Sequence, residues 1–297
     1  MREWNIGGRR TLPVGERTLV MGVLNVTPDS FSDGGEFFAL AKAIAHAEQM
    51  IVEGADIIDV GGESTRPGGA AIVSAEEELA RVLPVIKQLA ARSKVPISID
   101  TTKSSVAHAA LDAGAVILND ISALRFDPEM ANEAAKAGAG LVLMHSRGTP
   151  GELHGLPAVA DIIQEVTTSL RRSIEIAEQR GVKRESIVID PGIGFGKSQE
   201  QNIELIAKLD QLIGAFPDFP LVIGTSRKSF IGRILADTNG NPVPVDERLH
   251  GSLATLTAAI LKGAHLVRVH DVKAAVETVR VVDALRKQPA QTQPHSH

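Results

Sequence analysis

Eight short apolar runs recur along the chain: TLVMGVLNV from Thr18, ADIIDVGG from Ala55, VPISID from Val95, GAVILND from Gly114, AGLVLMHS from Ala139, ESIVIDPG from Glu185, PLVIGTS from Pro220 and AHLVRVH from Ala264. Each is rich in β-branched residues, nearly continuously apolar and too short for a helix, which is how strands of a parallel sheet covered on both faces read. Between them the apolar positions take helical spacing. FFALAKAIAHAEQMIVEGA follows the first run, and SAEEELARVLPVIKQLAA, opened by the capping box of Ser74 and Glu77, follows the second. SSVAHAALDAGA, DPEMANEAAKAGA, AVADIIQEVTTSLRRSIEIAEQRG, QNIELIAKLDQLIGAF, DERLHGSLATLTAAILKGA and KAAVETVRVVDALRK complete the series, several of them closing on Gly. Eight alternations of strand and helix predict an α/β fold, a single-domain (β/α)₈ TIM barrel over residues 18–287. A doubly wound parallel sheet is the competing architecture, and the eight units together with the length favour the barrel.

Residues 1–17, with Trp4, are expected to form an N-terminal arm packed beneath the barrel, and residues 288–297 a disordered tail in which His295 and His297 have no ordered role. ADTNGNPVPVD, from Ala236, reads as a loop inserted between the seventh strand and its long helix.

Composition narrows the function classes. The 297 residues are 43% hydrophobic and 23% charged with a net charge of -5, so nothing argues for nucleic acid or an anionic membrane as partner. With no cysteine there are no disulfides, thiolate metal sites or thiol catalysis, which suits a reducing cytoplasm. MREWNIGGRR lacks the apolar stretch of a secretory signal, and no apolar run reaches the roughly 18 to 20 residues that span a bilayer. Small acidic ligands would have to be held by local cations.

In a barrel of this kind the ligand site forms where strands end and the following loops begin. The residues there are Asn25, Glu63 to Arg66, Asp100, Asn119 with Asp120, His145, Asp190, Ser226 to Ser229, and Arg268 with His270. Any one of them is explained by helix capping or solvation. Polar groups at all eight strand ends predict one ligand-binding mouth. Arg268, His270, Arg66 and Lys228 supply cationic donors, and the loops after the last two strands are the recurrent phosphate position of the fold, so a phosphorylated substrate is expected. SRKS, Ser226 to Ser229, precedes the apolar FIGRIL and is placed to open a helix toward an anion. Asp100, Asn119 and Asp190 form an opposite set of acceptors, suited to a flat heterocycle whose amidine-like edge offers parallel N–H donors, as guanine and pterins do. A general acid/base couple or a metal site are the other readings of an aspartate pair, although no His or Glu at ligand spacing supports a dedicated metal cage.

DPGIGFGK, from Asp190, matches neither GxxxxGK[ST] nor GxGxxG, which excludes a nucleotide loop; its glycines are expected to turn the backbone under a planar ligand with Phe195 at the rim. GGESTRPGG, from Gly61, reads as a flexible loop carrying Ser64, Thr65 and Arg66. Asp59, inside the second strand, is expected to make a structural contact behind the site. His46 and His108 on outer helices and His250 are assigned no role.

The ordered motifs GVLNVTPDSFSDGG, DIIDVGGESTRPG, ISIDT, LNDISA, MHSRGTP, DPGIGFGK, GTSRKSFIG and LVRVHDV, from near Val20 to Asp271, resemble those of bacterial dihydropteroate synthases, a sulfonamide-target family. The resemblance implies a folate-pathway transferase that joins p-aminobenzoate to 6-hydroxymethyl-7,8-dihydropterin diphosphate and releases pyrophosphate with Mg²⁺ as cofactor, in a homodimer. By similarity, Asp100, Asn119, Asp190 and Lys228 hold the pterin, while Asn25, Thr65, Arg268 and His270 hold diphosphate, Asn25 sharing the metal with it. Phe31, Thr65, Arg66, Pro67, Phe195 and Ser229 frame p-aminobenzoate, Ser229 taking its carboxylate. Asp100, Asp190 and Lys228 are the catalytic set implied. Phe31 would cover the aminobenzoate ring, with Gly34 and Gly35 as the hinge of its loop. One departure stands out: Ser146 occupies the position after the strand-five His where the family usually has Met, which bears on the local wall of the pterin pocket. A methyltetrahydrofolate–corrinoid methyltransferase shares barrel and pterin cluster but has no use for diphosphate cations. A non-catalytic pterin-binding homologue would be expected to lose Asn25, Arg66, Lys228 or His270, all of which are present.

Overall fold

The computed structural model describes residues 2–8, 10–27, 35–63, 73–149 and 156–288, with the side chains of 35–38 outside the description. Phe31, Gly34, Thr65, Arg66, Pro67, His295 and His297 therefore lie outside the described residues.

The chain opens with an antiparallel hairpin, β1 (Arg2–Gly7) and β2 (Arg10–Val14). Eight parallel strands follow: β3 (Leu19–Asn25), β4 (Ile57–Gly61), β5 (Ile97–Asp100), β6 (Ile117–Asp120), β7 (Gly140–Met144), β8 (Ile187–Asp190), β9 (Val222–Ile223) and β10 (Leu266–Val269). They pair in the order β8-β7-β6-β5-β4-β3-β10-β9, and a parallel bridge between Ile189 and Leu221 closes the ring. Each apolar run thus became one barrel strand, and the shortest, β9, is extended by that bridge.

The helices are α1 (Gly35–Glu53), α2 (Ala75–Arg92), α3 (Ser104–Asp112), α4 (Met130–Ala137), α5 (Ile162–Gln179), α6 (Gln199–Ala207), α7 (Leu209–Ala215), α8 (Ser229–Ile234), α9 (Leu249–Leu261) and α10 (Val272–Arg286). The capping box before α2 forms as its residues predict, with the Glu77 amide donating to Ser74 Oγ at 3.2 Å and the Ser74 amide donating to Glu77 Oε2 at 3.3 Å. QNIELIAKLDQLIGAF, expected as one helix, is two, because the chain leaves helical geometry at Lys208 between α6 and α7.

Two layers of apolar packing hold the barrel. Outward residues of the strands pack under the helices in one large cluster, while Met21, Ile57, Ile117, Val142, Val188 and Leu266 fill the lower lumen with Trp4 and Ile6. Trp4 is fully buried, its Nε1 donating to Ser186 O at 2.9 Å. The N-terminal arm is more regular than expected: it is a hairpin that plugs the end of the barrel opposite the strand C-termini. With the bottom filled by apolar side chains, the open end is left to polar chemistry.

Candidate active site

A cavity of about 390 Å³ opens at the C-terminal ends of the strands. Asn25, Asp100, Asn119, Asp190, Phe195, Lys228, Ser229, Arg268 and His270 all line it, together with Glu63 and the apolar Val23, Ile121, Met144 and Ile193. The strand period explains the selection, since alternate residues point into the lumen: on β4 Ile57 belongs to the lower layer, Asp59 lies above it, and Gly61 ends the strand.

Not every strand end delivers its polar residue to this mouth. Asp120 is buried beneath the loop that follows β6, where it accepts from Ser122 N at 2.8 Å, Ser122 Oγ at 2.7 Å and Leu124 N at 2.6 Å. His145 is likewise enclosed and outside the cavity lining, and burial, with Lys197, Arg125 and Arg147 nearby, lowers its pKa to about 2. The β7 position that does face the cavity is Met144. Ser146, the departure from the family pattern, accepts from Arg125 NH2 at 2.8 Å and so ties the β7 loop to the β6 loop.

Carboxylates and cations interlock on the floor. Arg268 donates from Nε to Asp59 Oδ2 and from NH2 to Asp100 Oδ2, both at 2.6 Å, while Asn119 Nδ2 donates to Asp59 Oδ2 at 3.0 Å. Asp59 is thus a buried contact behind the site, as its position inside the strand suggested. Arg268, expected among the diphosphate ligands, has its guanidinium turned to the carboxylates of Asp59 and Asp100. Burial pushes Asp100 up in pKa against the pull of Arg268, and raises Asp190 to about 6 against the Gly192 amide and Lys228. Lys228 is lowered to about 8 by desolvation and Arg268, and its Nζ lies 4.1 Å from the centroid of the Phe195 ring.

His270 corrects the sequence reading. It was counted among the cations, but burial and the neighbouring Arg268, Arg227 and Lys228 depress its pKa to about 3, so near neutral pH it is an uncharged imidazole with Nδ1 3.0 Å from Ser226 Oγ. The SRKS stretch opens a helix, as expected, with its arginine engaged elsewhere. Arg227, at φ +58°, is bound in two places by Asp271, and its amide donates to Ser252 Oγ at 2.9 Å; α8 then begins at Ser229.

The glycine loop after β8 is built as a rigid floor. Gly192 adopts φ +66°, and a Cβ there would lie 1.8 Å from His145 O, so only glycine fits. Lys197 Nζ donates to Gly192 O at 2.7 Å, Phe195 O at 3.1 Å and His145 O at 3.3 Å, while Asn202 Oδ1 accepts from Gly194 N at 2.6 Å. Phe195 was expected at the rim; it is instead 6% exposed, packed with Ile121 and Met144 as an apolar wall. The sequence reading passed over Lys197 as a side chain. Its signal was weak, because a lysine after three glycines looks like a solvent-facing loop residue.

Space matters as much as donors. A Cβ on Gly61 would stand 3.8 Å from Asp100 Oδ2 and 3.9 Å from Asn25 Oδ1, so the missing side chain leaves a gap flanked by two oxygen donors.

A family model described as pterin binding enzyme matches residues 21–270. A dihydropteroate synthase of Synechocystis sp. is 49% identical over 280 residues, covering 94% of this chain and 93% of the relative. Among solved structures, dihydropteroate synthase of Clostridium difficile in the presence of pteroic acid superposes with a TM-score of 0.86 at 46% identity, covering 93% of this chain and 100% of that one. The Yersinia pestis dihydropteroate synthase in complex with a sulfonamide drug gives a TM-score of 0.84 at 41% identity, covering 94% and 97%. A strand-end cavity of acceptors and cations, with these likenesses over almost the whole barrel, shows that the chain belongs to the dihydropteroate synthases of the pterin-binding enzyme family, transferases of folate biosynthesis.

Proposed function

We propose that the cavity takes 6-hydroxymethyl-7,8-dihydropterin diphosphate with its ring edge on Asp100, Asn119 and Asp190 beside Lys228, and that p-aminobenzoate enters near Ser229, against the outer edge of the Phe195 wall. The observation that carries this reading is the convergence of three acceptors and a lysine on one floor, next to Arg268, Asn25 and His270. Carboxylates and an amide oxygen satisfy a ring edge rich in N–H donors. The apolar wall of Ile121, Met144 and Phe195 supports the flat face of the ring.

In this reading Arg268 exchanges partners. Pterin on Asp100 takes over the carboxylate that the guanidinium holds, and Arg268 is freed to serve the diphosphate with Asn25, Thr65 and a neutral, hydrogen-bonding His270. Mg²⁺ is a natural companion: Asn25 Oδ1, beside the gap above Gly61, is a hard oxygen donor that would hold it. Among the described residues no group of three His, Cys, Asp or Glu could hold a metal alone, so substrate oxygens would complete its shell. When bound, Mg²⁺ supplies neutralisation of the negative charge on the diphosphate.

The electrostatics favour a dissociative order. The methylene C–O bond breaks with its electron pair leaving on pyrophosphate, and the carbon left behind is a cation conjugated with the pterin ring. Asp100 and Asp190, buried beneath it, are acids placed to favour that charge, which is the role preorganised groups play in a water-poor site. The aminobenzoate nitrogen then donates its lone pair to the carbon, and its proton passes to the released pyrophosphate, which leaves the neutral secondary amine of the product. Positional isotope exchange tests the order. With Mg²⁺ and without aminobenzoate, ¹⁸O placed in the bridge between carbon and phosphorus should scramble into the non-bridging positions of the same phosphate. Turnover with no scrambling would favour a single displacement.

We also propose that the chain works as a homodimer in the cytoplasm. An apolar groove of about 680 Å³ between α6, α8 and α9, lined by Ile203, Phe230, Ile234 and Leu261, supports pairing with a second copy. No helix among the described residues is long and apolar enough to cross a membrane.

A further inference from the structure

We infer that Asp59 is a positioning residue that fixes which end of the Asn119 amide meets the ring edge, so that Asn119 joins Asp100 and Asp190 as an acceptor. This rests on the reading that the cavity takes a pterin.

The two ends of a carboxamide are nearly equal in size and opposite in character, so its orientation is decided by its partners. Asn119, on β6, is 4% exposed and lines the cavity; Asp59, on β4, is fully buried and does not. A carboxylate only accepts, so Asn119 must turn its nitrogen to Asp59 Oδ2, 3.0 Å away, and its oxygen is the end left to the cavity. The reverse orientation would set two acceptors against each other. Arg268 Nε, 2.6 Å from the same Oδ2, holds that oxygen in place, while Asp59 Oδ1 is buried without a hydrogen-bond partner among the described residues. An apolar residue at 59 would satisfy the packing of an inward barrel position, yet the chain keeps a half-satisfied carboxylate there. The cost is explained if Asp59 acts through Asn119.

The consequence is selectivity. With Asn119 locked, Asp100, Asn119 and Asp190 all present acceptors and read a run of N–H donors. With Asn119 free to turn, the floor would equally admit a ring whose edge presents an acceptor at that point.

The test removes the acceptor at 59 and then restores it. Binding of 6-hydroxymethyl-7,8-dihydropterin, which lacks the diphosphate and so leaves that role of Arg268 aside, is measured by calorimetry for the full-length wild type, Asp59→Leu and Asp59→Asn. Circular dichroism checks that each is folded. Asp59→Leu offers the amide at 119 no acceptor and should weaken binding by about tenfold or more. In Asp59→Asn the Arg268 Nε, which only donates, turns the new carbonyl oxygen to the place of Oδ2, where it still accepts from Asn119. This conservative variant should bind within about threefold of the wild type. Asp59→Leu binding as tightly as the wild type, or a folded Asp59→Asn as weak as Asp59→Leu, would overturn the inference. A wild type that does not bind the pterin core at all would overturn the pterin reading itself.

Discussion

Asp190 carries a proton at a pH where an ordinary aspartate has lost it, because its carboxyl is buried at the end of β8. The sign of the consequence follows from linkage. Its folded pKa, about 6, lies above the ordinary 3.8, so the stability it contributes is complete below about 4 and is lost as the pH rises through 6. Asp190→Asn should therefore leave thermal stability unchanged near pH 4 and raise the Tm above pH 6, while abolishing most of the activity. Differential scanning calorimetry of the two proteins across this range checks it; equal Tm values at pH 8 would contradict the assignment. In the wild type kcat/KM for the pterin substrate should fall as the pH drops through about 6, and fall again above about 8 where Lys228 loses its charge. A site that works best where its acids are least comfortable trades stability for binding.

At the scale of elements, the loop after β8 shows how far a sequence can be read. Its three glycines announced tight turns, and all three have left-handed φ. The spacing could not reveal that Lys197 reaches back to three carbonyl oxygens, one of them on the neighbouring β7 loop. Lys197→Met should remove the donor these carbonyls share, of which Gly192 O alone keeps a second one in the Phe195 amide at 3.2 Å among the described residues, cost about 2–4 kcal/mol and raise KM for the pterin substrate several-fold, measured by urea unfolding and steady-state kinetics. Unchanged stability would show that the loop holds itself. The same limit explains the misread residues. Asp120 and His145 stand beside inward-facing neighbours, and a shift of one residue on a strand moves a side chain to the opposite face. His270 was read as charged from its type alone, whereas burial in the folded barrel, and after it Arg268, Arg227 and Lys228, hold it uncharged. The capping box before α2, a purely local arrangement, was legible in full.

For the whole molecule, eight alternating runs were enough to specify the barrel, because period and run length survive in the sequence. The N-terminal hairpin was not read, since its alternation, Trp4 and Ile6 in REWNIG and Leu12 and Val14 in RTLPV, covers only two apolar positions a strand and the pairing depends on docking Trp4 against the barrel floor. Gly140 belongs to the same fit: a Cβ there would meet the indole at 3.1 Å. Trp4→Ala should lower stability by about 3–5 kcal/mol while leaving the KM values of the folded protein within about twofold, because the plug and the cavity occupy opposite ends of the strands. A change in KM as large as the loss of stability would indicate coupling through the lumen. The C-terminal helix gives a second anchor, with Asp283 Oδ2 accepting from Thr18 N at 2.7 Å and Oδ1 from Thr18 Oγ1 at 2.9 Å.

These scales meet in one reaction. The purified chain, incubated with 6-hydroxymethyl-7,8-dihydropterin diphosphate and p-aminobenzoate, should form dihydropteroate and pyrophosphate in equal amounts, with turnover lost when Mg²⁺ is chelated and restored when it is returned. Pyrophosphate formed without dihydropteroate, or no turnover by a protein that binds both substrates, would contradict the account.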